Sequence, residues 1–91
     1  MYSIRHNMAK NNKIKDELGK HVLIDCKGDI AHMHEDVLSE IMRKAAKLAG
    51  ATVLSANFHQ FGGDGGITGV LVLAESHITV HTWPEYDYAA F

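Results

Sequence analysis

Glu75, Ser76, His77 and His81 place a carboxylate, a hydroxyl and two imidazoles within a few residues of one another. A serine hydroxyl can act as a nucleophile, and a histidine can take its proton near neutral pH. Residues 77–83 read His-Ile-Thr-Val-His-Thr-Trp, and their period of two predicts a strand. On that strand His77, Thr79, His81 and Trp83 share one face, while Ile78 and Val80 share the other. Pro84, which has no N–H to give to a ladder, ends it. Three readings fit these residues. His77 and His81 could ligate a metal, but they stand two side-chain periods apart with no evident third ligand. Ser76 could be a nucleophile with a histidine base, but no nucleophile-elbow glycines surround it and no aspartate is clearly placed to orient His81. The face could also be a polar subunit interface without chemistry.

The chain has 91 residues, 46% of them hydrophobic and 22% charged, with a formal net charge of -2. That suits one small domain with a modest core. No basic field argues for nucleic acid, and no apolar run approaches the length of a membrane span. The first twenty residues are polar, carry several lysines and lack an apolar signal-peptide core. A single cysteine, Cys26, excludes an internal disulfide and agrees with a reducing compartment; a cytoplasmic location is the expectation. A chain this small is expected to bury further surface against a partner subunit.

Residues 1–18 show no convincing period and read as a flexible leader, in which 14–18 could form a helical turn. Residues 19–91 read as the folded domain. Residues 21–26 form a short strand, followed by a Lys27-Gly28-Asp29 turn. Cys26 reads as a small hydrophobe on that strand rather than as a ligand or nucleophile. His32 and His34, one residue apart, have metal-ligand spacing, but a solvated loop is the simpler reading. Residues 35–49 are the clearest helix. Val37, Leu38, Ile41, Met42, Ala45, Ala46, Leu48 and Ala49 form its apolar stripe. Glu35 and Asp36 open it, and Gly50 follows its C-cap.

Residues 51–59 alternate again, with Leu54, Ala56 and Phe58 on one face and Val53, Ser55, Asn57 and His59 on the other. Phe61 leads into Gly62-Gly63-Asp64-Gly65-Gly66. No helix follows and no lysine has phosphate-loop spacing, so a hairpin connection is the better reading. Residues 67–75 form a third strand, expected to be buried on both faces for part of its length. Residues 77–83 form the fourth, and 88–91 begin a fifth. Strand, helix, strand, strand, strand predicts an α+β two-layer sandwich, an antiparallel sheet with the helix packed on one face.

Residues 74–86, Ala-Glu-Ser-His-Ile-Thr-Val-His-Thr-Trp-Pro-Glu-Tyr, resemble the self-processing segment of the prokaryotic S-adenosylmethionine decarboxylases. Gly19-Lys20-His21, Gly50-Ala51-Thr52, Phe58-His59-Gln60-Phe61 and Gly66-Ile67-Thr68-Gly69-Val70 resemble further segments of that family in the same order. The resemblance covers residues 19–91. It implies a proenzyme that cuts itself between Glu75 and Ser76, leaving a pyruvoyl group derived from Ser76. That group forms a Schiff base with the substrate amine and serves as the electron sink for decarboxylation. The implied substrate is S-adenosylmethionine, the implied product is the aminopropyl donor for spermidine synthesis, and the implied assembly is a homodimer of processed protomers.

By motif match, the resemblance makes His81 the processing histidine and puts Thr68 where the family commonly has a serine that aids processing. Phe61 matches the phenylalanine that stacks on adenine, and Glu85 the carboxylate that binds the ribose hydroxyls. Two other readings stand beside this one: a pyruvoyl decarboxylase for another amino acid such as ornithine or arginine, and a truncated, inactive homologue that only dimerises. Family members continue past Ala-Ala-Phe through another strand to a cysteine that acts as general acid. This sequence stops at Phe91, and Cys26 does not match that position, so the expectation is a fragment or a shortened relative.

Overall fold

The computed structural model describes residues 2–7, as backbone, and residues 19–91. Its elements in chain order are β1 (Tyr2–Asn7), β2 (His21–Lys27), α1 (Glu35–Leu48), β3 (Val53–Gln60), β4 (Ile67–Leu73), β5 (His77–Trp83) and β6 (Tyr88–Ala90). Short 3-10 turns at Asp29–His32 and Pro84–Tyr86 precede α1 and β6. Among the described residues the strands form one six-stranded sheet in the order β1-β2-β6-β5-β4-β3. Every neighbouring pair is antiparallel. The helix packs on one face, against β3 and β4. This is the α+β arrangement that the alternation of patterns predicts.

The amphipathic spacing of α1 explains how it sits. Leu38, Met42 and Ala46, each four residues apart, are buried against Ile67, Leu71 and Leu73 of β4 and Val80 of β5. Ile41 and Leu48, at the margins of the same stripe, stay exposed, so the covered seam is narrower than the stripe. The helix ends in a Schellman motif: Ala51 N–H donates to Ala46 C=O, and Gly50 N–H to Lys47 C=O. Gly50 takes φ 76°, which a Cβ disfavours.

The two strands nearest the candidate site differ from their patterns in opposite ways. β4 alternates strictly. Ile67, Gly69, Leu71 and Leu73 are buried beneath the helix, whereas Val72 on the other face is 42% exposed. The expected two-sided burial is not found, because no layer among the described residues covers the helix-free face. β4 also stops at Leu73, leaving 74–76 as the turn into β5. In β3 the register slips between Val53 and Ser55. This bulge turns Val53 towards the core and leaves Leu54 64% exposed. Val53 and Leu54 therefore exchange the faces that simple alternation gives them. Beyond the bulge, Phe58 keeps its expected side and lies over Gly69, where a Cβ would collide with the ring.

β1 is the element that the sequence pattern does not show. It pairs with β2 from Tyr2↔Cys26 to Asn7↔His21, so its register comes from its partner strand. The rest of the expected leader, residues 8–18 with the helical turn at 14–18, lies outside the described residues. β6 is short but sits between β2 and β5, joining the two halves of the sheet.

Leu71 is fully buried at the centre of the helix–sheet seam. Leu71→Ala is expected to lower folding stability by about 2–5 kcal/mol, through lost transfer energy and the cavity left behind. Urea unfolding followed by circular dichroism measures this. A change below half a kilocalorie would contradict the assigned core.

Candidate active site

β4 and β5 place the candidate side chains through their register. Thr68 lies opposite His81, and His59 of β3 lies opposite Thr68. Since Ile67, Gly69 and Val80 face the helix, Thr68 and His81 point to the uncovered face. There Thr68 Oγ1 and His81 Nδ1 share a hydrogen bond of 2.6 Å. When Nδ1–H is the donor, the Nε2 lone pair is left open to act as a base. The His81 ring is half-buried. Trp83 lies against it with ring centroids 4.0 Å apart, and Phe61 stands at 6.2 Å on a tilted plane. His59 meets Phe61 edge-on at 4.7 Å, and Tyr88 follows Trp83 at 5.3 Å. The Tyr88 hydroxyl donates to Asp25 Oδ1 at 2.6 Å. A band of rings thus crosses the helix-free face and fixes the plane of the imidazole.

Glu75 and Ser76 occupy the tip of the β4–β5 hairpin. Leu73 N–H donates to the Ser76 carbonyl at 3.0 Å. The neighbouring loop holds Glu75 from both sides: Ala74 N–H donates to the Thr52 carbonyl, and Thr52 N–H donates to Glu75 Oε1 at 3.1 Å. Thr52 was not legible as a site residue, because it acts through its backbone and from across the fold. Both Glu75 and Ser76 are exposed, so the bond between them can be cut without parting the core.

Thr68 and His81 come together, but not beside Ser76. His81 stands four strand steps beyond His77, roughly 13 Å at about 3.3 Å per residue. Within one extended hairpin the imidazole does not reach the serine at its tip. Phe61 and Glu85 are likewise separated. Phe61 belongs to the ring band, whereas Glu85 lines a cleft of about 480 Å³ with His32, His34, Gln60 and Asp64. Phe61 is not among the residues lining that cleft. A larger, more open groove of about 580 Å³ runs along the charged side of α1 and contains none of the expected site residues.

The other candidates resolve into local contacts. His32 Nε2 meets Asp87 Oδ1 at 2.8 Å in an exposed pair. His77 faces His21, not His81, with ring centroids 5.7 Å apart. Among the described residues no group of three or more His, Cys, Asp or Glu side chains is gathered as a metal site. Burial, with a further contribution from Asp25, raises the Cys26 thiol above its ordinary value, which disfavours the thiolate that nucleophilic or ligating roles require. No helix among the described residues is long and apolar enough to cross a membrane.

Comparison with known proteins covers this same region. The sequence pattern of S-adenosylmethionine decarboxylase matches residues 20–91. A protein of Thermodesulfovibrio yellowstonii named S-adenosylmethionine decarboxylase proenzyme is 51% identical over 75 residues, covering 80% of this chain and 55% of that protein. A Clostridium kluyveri protein of the same name is 45% identical over 78 residues, covering 82% of this chain and 60% of its own length. One from Pseudomonas aeruginosa is 44% identical over 75 residues, covering 80% and 46%. The chain therefore spans about half the length of the curated relatives it matches. With a matched region that takes in the helix, the β4–β5 hairpin and the Thr68–His81 pair, the chain belongs to the S-adenosylmethionine decarboxylase family.

Proposed function

We propose that this chain carries the self-processing half of a pyruvoyl-dependent S-adenosylmethionine decarboxylase. The observation that carries the reading is the hydrogen-bonded Thr68–His81 pair, on the same sheet as an exposed Glu75–Ser76 hairpin tip. The residues present fit formation of the group. Ser76 supplies the carbon skeleton, and Thr52 holds the adjoining carboxylate.

Cleavage takes three steps. Ser76 Oγ attacks the Glu75 carbonyl carbon, the Glu75–Ser76 C–N bond breaks, and an ester replaces the amide. A base removes the Ser76 α-proton, the Cβ–Oγ bond breaks, and Glu75 leaves as a carboxylate. Water then displaces ammonia from the dehydroalanine, giving a pyruvoyl N-terminus. His81 is assigned the α-proton, with Thr68 holding the tautomer in which Nε2 accepts it. A pyruvoyl group derived from Ser76 would supply an electrophilic carbonyl and an electron sink for decarboxylation of an amino acid.

The span from His81 to the hairpin tip supports a pairing of two chains. In that arrangement the Thr68–His81 pair of one copy serves the Ser76 of another lying across the helix-free face. That face also exposes Val72 and Leu23 and has no cover among the described residues. The S-adenosylmethionine reading rests on Phe61 and Glu85. The exposed Phe61 ring offers a stacking surface for adenine, and Glu85 can accept from two ribose hydroxyls. Because these two lie in separate environments on one chain, the same pairing of copies would bring one chain's ring to the other's carboxylate. The product would be the aminopropyl donor for spermidine synthesis. Ornithine or arginine would leave the ring without a base to stack on.

Calorimetry with S-adenosylmethionine on the uncleavable Ser76→Ala chain tests the substrate. Phe61→Ala is expected to weaken binding by about 1–3 kcal/mol, the usual value of base–aromatic stacking. Glu85→Gln should weaken it as well. Equal affinity in both variants would remove the adenosyl assignment.

A further inference from the structure

Glu85 sits in the middle of the Pro84–Tyr86 turn, between β5 and β6. That turn is closed by one bond, from Asp87 N–H to the Pro84 carbonyl, and a single 3-10 turn is too short to fix its own orientation. Its support comes from the Asp29–His32 turn, which packs on β2, β5 and β6 and buries Ala31. Two bonds join the turns, and both end on Asp87. Gly28 N–H donates to the Asp87 carbonyl at 3.2 Å. His32 Nε2–H donates to Asp87 Oδ1 at 2.8 Å, since a carboxylate only accepts. His32 and Glu85 line the same cleft, so the tie lies beside the carboxylate it can orient.

Among the described residues Asp87 alone, glycines aside, takes a positive φ, 54°. A Cβ disfavours that left-handed conformation, which glycine adopts freely. What aspartate adds there is the contact with His32. The two side chains are 52% and 58% exposed, and an exposed pair contributes little to folding stability. Its effect is on direction. We propose that His32 and Asp87 are positioning residues that hold the Pro84–Tyr86 turn, and with it the Glu85 carboxylate, in the orientation that receives two neighbouring hydroxyls. Each acts through Glu85, and neither touches the ligand. The identity of that ligand rests on the proposed adenosyl site; the hold on the turn does not.

The uncleavable Ser76→Ala chain, labelled with nitrogen-15, is the parent for the test. Asp87→Gly removes the carboxylate and suits the left-handed backbone, so the melting temperature should be retained. Amide order parameters of Glu85 and Tyr86 should fall from rigid values near about 0.85 in the parent to below about 0.6 in Asp87→Gly and in His32→Ala. Asp87→Asn should match the parent, because its side-chain oxygen still accepts from Nε2–H and its backbone tolerates the same conformation. Calorimetry with S-adenosylmethionine should show affinity falling by about threefold to tenfold in Asp87→Gly and His32→Ala, the weight of one hydrogen bond no longer well aimed. In a Glu85→Gln background, Asp87→Gly should cost nothing further, because no carboxylate is left to aim. Equal order in the parent and Asp87→Gly would overturn the proposal. So would failure of Asp87→Asn to rescue, or fully additive losses in the double variant. A parent whose turn is ordered and is released by Asp87→Gly, but which binds no S-adenosylmethionine, would support the hold on the turn and overturn the adenosyl site.

Discussion

A Ser76→Ala chain is expected to stay at full length indefinitely, under conditions in which the parent separates into two pieces. The substitution removes a single exposed hydroxyl at a hairpin tip, so the fold should be unaffected. Without Oγ there is no group to convert the Glu75 amide to an ester and no leaving group for elimination. Melting temperature and gel mobility followed together over days check this. Cleavage of Ser76→Ala between residues 75 and 76 at the parent's rate would point to simple proteolysis of an exposed turn. The clamp around Glu75 makes a graded companion case. Glu75→Ala loses the contact with Thr52 N–H and should slow cleavage without stopping it, because the nucleophile is retained but less well positioned.

The His81→Ala chain should reach the ester and then stall. Loss of a positioned general base slows proton removal by about 10²–10⁴-fold, so the ester should accumulate and hydroxylamine should release a cleaved species from it. Thr68→Val, which keeps the shape but loses the 2.6 Å hydrogen bond to Nδ1, should show a milder form of the same defect. Mixing the variants separates reaction within one chain from reaction between two. If one copy's imidazole serves another copy's serine, His81→Ala chains refolded together with Ser76→Ala chains should recover elimination at the intact Ser76. If the hairpin instead folds back onto its own His81, the mixture should be no more active than His81→Ala alone.

Where a local pattern is set by burial on one face, the sequence foretold the fold. The α1 stripe, the alternation of β5, the stop at Pro84 and the Gly50 cap all follow from side-chain period and backbone chemistry, and each is present. What was not legible depends on partners distant in sequence. β1 has no period of its own and is defined by its ladder to β2. The β3 bulge exchanges the faces of Val53 and Leu54 through a register slip that no local residue announces. The same division holds at the site. The meeting of Thr68 and His81 follows from the hairpin register, and the resemblance named both residues. The backbone hold of Thr52 on Glu75 and the facing of His21 to His77 are tertiary facts with no sequence signal. The metal reading of His77 with His81 assumed that residues sharing a strand face share a site. The structure gives each imidazole a different neighbour.

The intact mass of the purified, folded 91-residue chain tests the central claim most directly. The account predicts two species, residues 1–75 with a free carboxyl end and a small fragment beginning at position 76. The N-terminus of the small fragment should be a pyruvoyl group, blocked to Edman degradation and reactive towards carbonyl reagents. A well-folded chain that remains a single full-mass species through long incubation, alone and at concentrations where two copies pair, would contradict it.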